Sequence, residues 1–303
     1  GPGTSPAACA RVPGVALTPQ FNGQVHGGGQ VTRSLTPADY QAIHDFLEGQ
    51  AGIRLGPGKE YLVVSRLTRL LPSFGLQGFS DLADRLADFA AARLQTAVVD
   101  AMTTNETFWF REHGHFRMLV EGIASQCRTS DLRIWSAAAS TGQEAYTAAI
   151  CLQDALQEGR LDRSLRSQIT GTDISPSALQ QARLGVYCGL AASRGLSDQQ
   201  RRRYFREHEG CVELLPHYRE GVTFREFNLL NSFDALGRFD VVFCRNVLIY
   251  FSQERKRDIV TRIARAMKPG GHLFLGSTES MRGHEDLFEM RHLGGALVYR
   301  VRC

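Results

Sequence analysis

The chain predicts an α/β fold: a parallel sheet covered on both faces, a small all-helical domain before it and a small antiparallel insertion within it. Three observations carry this. Apolar runs at Leu132–Ala137, Gln168–Asp173, Val222–Asn228, Phe239–Cys244 and Gly271–Gly276 alternate with helix-length segments. Runs such as Val241-Val242-Phe243-Cys244 are continuous rather than alternating, as in a sheet buried on both faces. The segment before them shows only a helical period.

Taken in order, residues 1–33 are rich in Gly, Pro and Ala without a hydrophobic period, and read as a flexible tail beginning with a vector-derived Gly1–Ser5. Residues 34–102 form the helical domain. Thr36 is an N-cap before Pro37 at the first helical position. Tyr40, Ile43, His44 and Leu47 then share a face. Further helices are expected over Gly58–Ser73, Ser80–Phe89 and Arg93–Met102. In the second of these, Lys59, Arg66 and Arg69 fall within roughly 80° of arc, with Leu62 inside it. That face is either solvated or a docking surface for an acidic partner.

Residues 103–115 form a linker. Its Thr104–Arg111 stretch, TNETFWFR, carries aromatic anchors at Phe108, Trp109 and Phe110. Anchoring does not account for Asn105, Thr107 and Arg111 beside them. The larger domain occupies 116–303. Ser252 caps a helix whose inner face holds Ile259, Ile263 and Met267, and Pro269-Gly270-Gly271 stops it. Leu297–Arg300 is a late strand in an antiparallel pair. Residues 190–221 break the alternation: a basic helix at Gln199–Arg206 precedes short runs at Cys211–Leu215, the pattern of a small antiparallel flap.

The stretch Ile134–Tyr146, IWSAAASTGQEAY, is a strand, a tight turn at Gly142 and a helix start. Such a unit brings a nucleotide-like ligand to backbone N–H groups. The next strand ends in Asp173, where ribose hydroxyls are held in doubly wound folds. The dinucleotide fingerprint G-x-G-x-x-G is absent. A phosphate-free nucleoside bearing a cation, S-adenosylmethionine, suits Glu144 and Asp173 better than a pyrophosphate does. Each acid also has a plainer reading: Thr141-x-x-Glu144 fits a capping box, and Asp173 fits a helix-start acid.

Composition narrows the class further. A hydrophobic content of 43% with 22% charged residues is that of a globular protein, and no apolar run is long enough for a membrane span. Without a signal-peptide pattern the expected location is the cytoplasm. Seven scattered cysteines with no C-x-x-C argue against a disulfide framework or a zinc site, and no metal is expected. The net charge of +4 does not by itself imply nucleic acid. Amine methyltransferases commonly place Asn/Asp-Pro-Pro-Tyr after the fourth strand; Arg245-Asn246-Val247-Leu248 stands there instead.

From about Leu35 to Tyr299 the chain resembles the chemotaxis receptor glutamate methyltransferases, the CheR family. The resemblance rests on TTNETFWFR, RIWSAAASTGQEAY, TDIS, FNLL, FCRNVLIYF and KPGGHLFLGSTES. It implies a Rossmann-like S-adenosylmethionine-dependent methyltransferase domain behind the helical one, with the insertion as a β-subdomain. It implies cofactor contacts from Asn105, Thr107, Arg111, Glu144, Asp173, Asn228, Leu229, Asn246 and Val247, with Arg111 and Tyr250 bordering the methyl-transfer site. Two glutamates and a proline usually follow the glycine; here Gln143, Glu144 and Ala145 do. The implied reaction is esterification of glutamates on cytoplasmic receptor helices by a monomer, giving S-adenosylhomocysteine. Lys59, Arg66 and Arg69 would face the receptor. A methyltransferase of small-molecule acids and a non-catalytic cofactor-binding adaptor are the alternatives. Some family members use the β-subdomain to grip a tethering peptide at the receptor C-terminus. The short Phe205–Cys211 connection leaves little room for the longer loop of tethering members, so no tether is expected.

Overall fold

The computed structural model describes residues 34–127, 131–293 and 295–302; residues 1–33, where a flexible tail with a vector-derived start is expected, lie outside them. The helical domain comprises α1 (Pro37–Ala51), α2 (Glu60–Leu67), α3 (Leu70–Ser73), α4 (Phe79–Leu86) and α5 (Ala92–Met102). Thr36 caps α1 in a full capping box with Asp39. Ile43 and Leu47 are buried against Val63, Leu67, Leu82 and Val98. The helix expected over Gly58–Ser73 is two: α2 ends at Leu67, and α3 restarts at Leu70. Thr68 turns its hydroxyl back onto the Val64 carbonyl, a local bond that competes with continuing the helix. Lys59 is the N-cap of α2 and Arg69 lies in the turn before α3, so one continuous helix does not carry all three of Lys59, Arg66 and Arg69.

After α6 (His113–Met118) the larger domain alternates β1 (Asp131–Ala137), α7 (Gln143–Gln157), β2 (Arg166–Asp173) and α8 (Pro176–Leu184). The insertion follows: β3 (Val186–Cys188), α9 (Asp198–Tyr204), β4 (Phe205–His208), β5 (Cys211–Leu214) and α10 (Pro216–Arg219). It starts earlier than residue 190, because Val186–Cys188 already pairs with β5. Its three strands lie in the order β3-β5-β4, all antiparallel. A two-residue turn, Glu209-Gly210, with φ of 47° and 78°, closes the β4–β5 hairpin. Tyr204 and Tyr218 both donate hydroxyls to buried Asp154 of α7, at 2.8 and 3.0 Å. That pair fastens the insertion to the main domain.

The chain then forms β6 (Val222–Glu226), β7 (Phe239–Cys244), α11 (Gln253–Arg265), β8 (Met267–Leu275), β9 (Phe288–Leu293) and β10 (Ala296–Val301). The seven-stranded order is β6-β2-β1-β7-β8-β10-β9, parallel from β6 through β8, with β10 antiparallel to both neighbours. Separate apolar clusters cover its two faces. Met267, expected on the helix, opens β8, and the strand runs through Pro269 and Gly270 instead of starting after them. Ser252 caps α11 as expected, accepting from the Arg255 N–H. Among the described residues no helix is long and apolar enough to cross a membrane.

The cysteines correct another expectation. Cys188 of β3 and Cys211 of β5 are directly paired in register and joined by a disulfide. Their separation of 23 residues hid a contact that only strand pairing makes.

Register also sets a pH response. His272 of β8 sits opposite Arg300 of β10, and burial, then Arg300 and Arg291, lower its pKa to about 4. Because this pKa is depressed in the fold, the unfolded chain takes up the imidazole's proton first as pH falls. Its contribution is full above the ordinary value of 6.5 and is lost as pH drops towards about 4. His272→Gln should remove up to about 1.4 kcal/mol per pH unit of that loss. Urea unfolding of both proteins at pH 7 and pH 5 tests this; identical pH slopes would refute it.

Candidate active site

Successive strands are added outward from β1 in one direction, through β2 to β6, and then in the other, from β7 onward. At this reversal Ala137 and Cys244 are register partners at the carboxyl ends of β1 and β7, where open α/β sheets bind ligands. A cavity opens there. Asn105, Thr107 and Arg111 of the linker line it, with Glu144 of α7 and Asp173 at the end of β2. Asn228 and Leu229 enter after β6, and Asn246, Val247 and Tyr250 after β7. All ten residues selected from the sequence for cofactor and methyl transfer thus meet in one place. Ala51, Ile53 and Met102 of the helical domain close one wall.

The β1–α7 turn has left-handed backbone at Ala138 (φ 62°), Ser140 (52°) and Gly142 (94°). A Cβ on Gly142 would lie 2.9 Å from the Ala182 Cβ, so glycine is required twice over. Asp173 holds this turn: its Oδ2 accepts the Ser140 N–H at 2.8 Å, and its Oδ1 accepts the Ser175 N–H at 2.9 Å. Ser175, not Asp173, caps α8, so Asp173 is more than a helix-start acid. Burial raises its carboxyl above the usual range, against the pull of those N–H groups. No cation forms an ion pair with it among the described residues, so its remaining lone pairs suit hydroxyl donors such as a ribose diol.

Glu144 is not part of a capping box. The cap of α7 is Gly142, without a side-chain bond, and the Thr141 hydroxyl donates instead to Gln143. The Glu144 carboxylate accepts the Ser136 hydroxyl at 2.6 Å and Arg245 Nη1 at 2.9 Å. Burial raises its pKa, and Arg245 and Ser136 oppose the rise. The Arg245 side chain is only 2% exposed and also reaches Glu112, at 3.2 Å, and the Arg111 carbonyl. It thereby ties the linker, α7 and the β7 end together, a role with no local signature in the sequence.

Glu279 was missed entirely. It is buried, and its carboxylate accepts four backbone N–H groups, from Gly276, Asn246, Val247 and Leu248, at 2.7 to 3.1 Å. The loop it shapes holds Asn246 at a φ of 59°. A Cβ on Gly276 would come within 2.4 Å of the Asn246 amide nitrogen. The only sequence signal is an acid just past a strand-ending glycine.

The other groups differ in how committed they are. Asn228 Nδ2 donates to the Gln50 carbonyl at 2.7 Å and its Oδ1 accepts the Leu230 N–H at 2.9 Å, so its side chain joins the two domains. Asn105 Nδ2 donates to Ser175 Oγ at 3.2 Å. The Arg111 guanidinium lies 5.3 Å from the Phe108 ring centroid and has no ion-pair partner among the described residues. The Tyr250 carbonyl accepts the Arg54 N–H at 3.4 Å. Phe110, Glu112, Ala138, Ser140 and Asn246 all carry positive φ. Backbone strain of this kind collects at functional sites.

Lys59, Arg66 and Arg69 do not line the cavity. Arg66 Nη1 donates to the carbonyls of Met102 and Thr103, at 2.9 and 3.3 Å, capping the end of α5 just before Asn105. Lys59 and Arg69 are exposed.

Comparison with known proteins agrees with this geometry. Residues 38–103 match the family described as CheR methyltransferase, all-alpha domain, and residues 105–295 match CheR methyltransferase, SAM binding domain. The chain is 40% identical to the chemotaxis protein methyltransferase Cher2 of Pseudomonas putida, over 87% of this chain and 98% of that one. It is 41% identical to chemotaxis protein methyltransferase 1 of Pseudomonas aeruginosa, over 89% of this chain and 100% of that one. It is 35% identical to the Escherichia coli chemotaxis protein methyltransferase, over 88% and 92%. A helical domain, an S-adenosylmethionine-binding sheet and one shared cavity between them are joined in a single chain that belongs to the CheR methyltransferase family.

Proposed function

We propose that this enzyme esterifies glutamate side chains on the cytoplasmic helices of chemotaxis receptors, working in the cytoplasm as a single chain. The observation that carries this is Arg111: a guanidinium that closes no ion pair among the described residues, in the same cavity as Asp173 and Glu144. When bound, S-adenosylmethionine supplies an electrophilic methyl on a sulfonium. A glutamate with a reference pKa near ~4.3 is already ionised at neutral pH, so no general base is needed. The residues have only to place the carboxylate in line and keep water out. Arg111 attracts the incoming carboxylate, and Tyr250 orients it from the opposite loop. Asp173 and Glu144 hold the nucleoside, and Asn105, Thr107, Asn228, Leu229, Asn246 and Val247 complete its walls. The products are a glutamate methyl ester and S-adenosylhomocysteine. Losing a negative charge biases the receptor helix towards its other signalling state.

Labelled methyl transfer to receptor cytoplasmic fragments, read as base-labile methanol, tests the reading. Adenosylhomocysteine binding without any transfer would make the chain an adaptor, and transfer to free small acids alone would make it a small-molecule enzyme. In the same assay Lys59→Glu with Arg69→Glu should cut receptor methylation severalfold and leave adenosylhomocysteine affinity unchanged. Rising salt should mimic the change by screening. Arg66→Glu should instead disturb both, since Arg66 holds the residues that lead into Asn105. Normal methylation by the double variant would leave that surface merely solvated.

The two-residue Glu209-Gly210 turn supports recognition without a tether, because it leaves no extended loop beside the β4 edge to clasp a peptide. A receptor C-terminal peptide ending in an aromatic residue should show no saturable binding up to high micromolar concentration. Low-micromolar binding abolished by disrupting Cys211–Leu215 would overturn this.

A further inference from the structure

We propose that Cys188 and Cys211 are a reversible oxidation site, formed by a peroxide and reversed by a dithiol, whose state sets cofactor affinity. The register puts Cys188, Cys211 and His208 in one row across all three strands of the insertion. The next row, Tyr187 and Val212, is buried, so the cysteine row lies on the solvent side. Cys188 is exposed and Cys211 half-buried. Both are open to small oxidants and reductants, and an exposed disulfide is the labile kind. In a reducing compartment such a pair is a sensor rather than a permanent brace.

The chemistry balances without further components. Cys211 reacts as its thiolate, the proton passing to solvent. Attack on hydrogen peroxide yields a sulfenic acid and hydroxide, which recovers the proton as water. The second thiol displaces the sulfenic oxygen as water, so two thiols and one peroxide become one disulfide and two waters. A dithiol reverses this by exchange and is itself oxidised to a disulfide.

The link to the cofactor is one residue long. Tyr187, next to Cys188, donates its hydroxyl at 2.8 Å to the carbonyl of Thr141 in the β1–α7 turn. Its ring packs edge-on against Trp109 of the linker, with centroids 4.9 Å apart. β3 is three residues long and pairs with β5 alone. The disulfide closes a span of 23 residues and fixes β3 to β5. Reduction removes the covalent tie between β5 and the short strand that carries Tyr187, the brace of the cofactor turn.

The test uses the full chain, treated with either dithiothreitol or stoichiometric hydrogen peroxide and then desalted. Alkylation with mass spectrometry should find Cys188 and Cys211 linked after peroxide and both alkylated after dithiothreitol. Calorimetry should show adenosylhomocysteine bound about fivefold more tightly in the oxidised form. Cys188→Ser and Cys211→Ser should each give one affinity whatever the treatment. Equal affinities with the crosslink verified would overturn the proposal, as would two alkylated cysteines after peroxide, or a peroxide response that survives in Cys188→Ser. Binding in either state leaves the methyltransferase reading intact, so the two can fail separately.

Discussion

Asp173→Ala should weaken adenosylhomocysteine binding about ten- to a hundredfold or more, the loss expected when a charge-assisted contact of roughly 1.5–3 kcal/mol is removed. The structure adds a second effect. The N–H groups of Ser140 and Ser175 lose their acceptor, so the β1–α7 turn loosens as well. Asp173→Asn separates the two effects: it keeps one acceptor oxygen and the side-chain volume but gives up the charge. Calorimetry on both variants, beside their thermal midpoints, distinguishes ribose binding from turn bracing. Unchanged affinity in both, with a lowered midpoint, would make Asp173 a brace only.

Arg245→Met should be the most damaging single change to stability. It leaves Glu112 and Glu144 without the cation they share, and breaking a buried pair in this way typically costs about 3–5 kcal/mol. The sign of its pH dependence follows from the same geometry. Without Arg245, only the Ser136 hydroxyl still opposes burial at Glu144, its pKa climbs further, and the folded state takes up a proton more readily than the unfolded chain. The variant should therefore recover part of its deficit as pH falls. Adding Glu144→Gln removes the stranded charge and should also recover part of the loss, a coupling that a double-mutant cycle measures. Strict additivity of the two substitutions would show that the ion pair contributes nothing.

What could be read in advance follows from the range of the interactions. Strand β7 was legible to the residue, because a continuous apolar run between a charged turn and Arg245 has one reading. Thr36 and Ser252 were legible because a cap acts within three residues. The break at Thr68 was not, since the apolar period continues across it and only the hydroxyl's choice of acceptor decides the geometry. The cofactor-binding residues came from resemblance and from their places at strand ends. Arg245 was read as lying at the ligand end of the sheet, but its acid partners, 101 and 133 residues away, were not, and Glu279 stayed hidden because three of its four donors are 31 to 33 residues distant. The Cys188–Cys211 pair was hidden for the same reason, through a strand too short to announce itself.

The Glu279 carboxylate has a consequence for synthesis on the ribosome. Asn246 leaves the peptidyl-transferase centre 33 residues ahead of the acid that will receive its N–H. At ordinary translation speed that lag lasts roughly 2–7 s. During it the loop following β7 has every residue that lines the cofactor cavity and none of the charge that bends it into place. The nascent protein thus completes its binding pocket only once residue 279 has been added, when one side chain gathers four waiting donors.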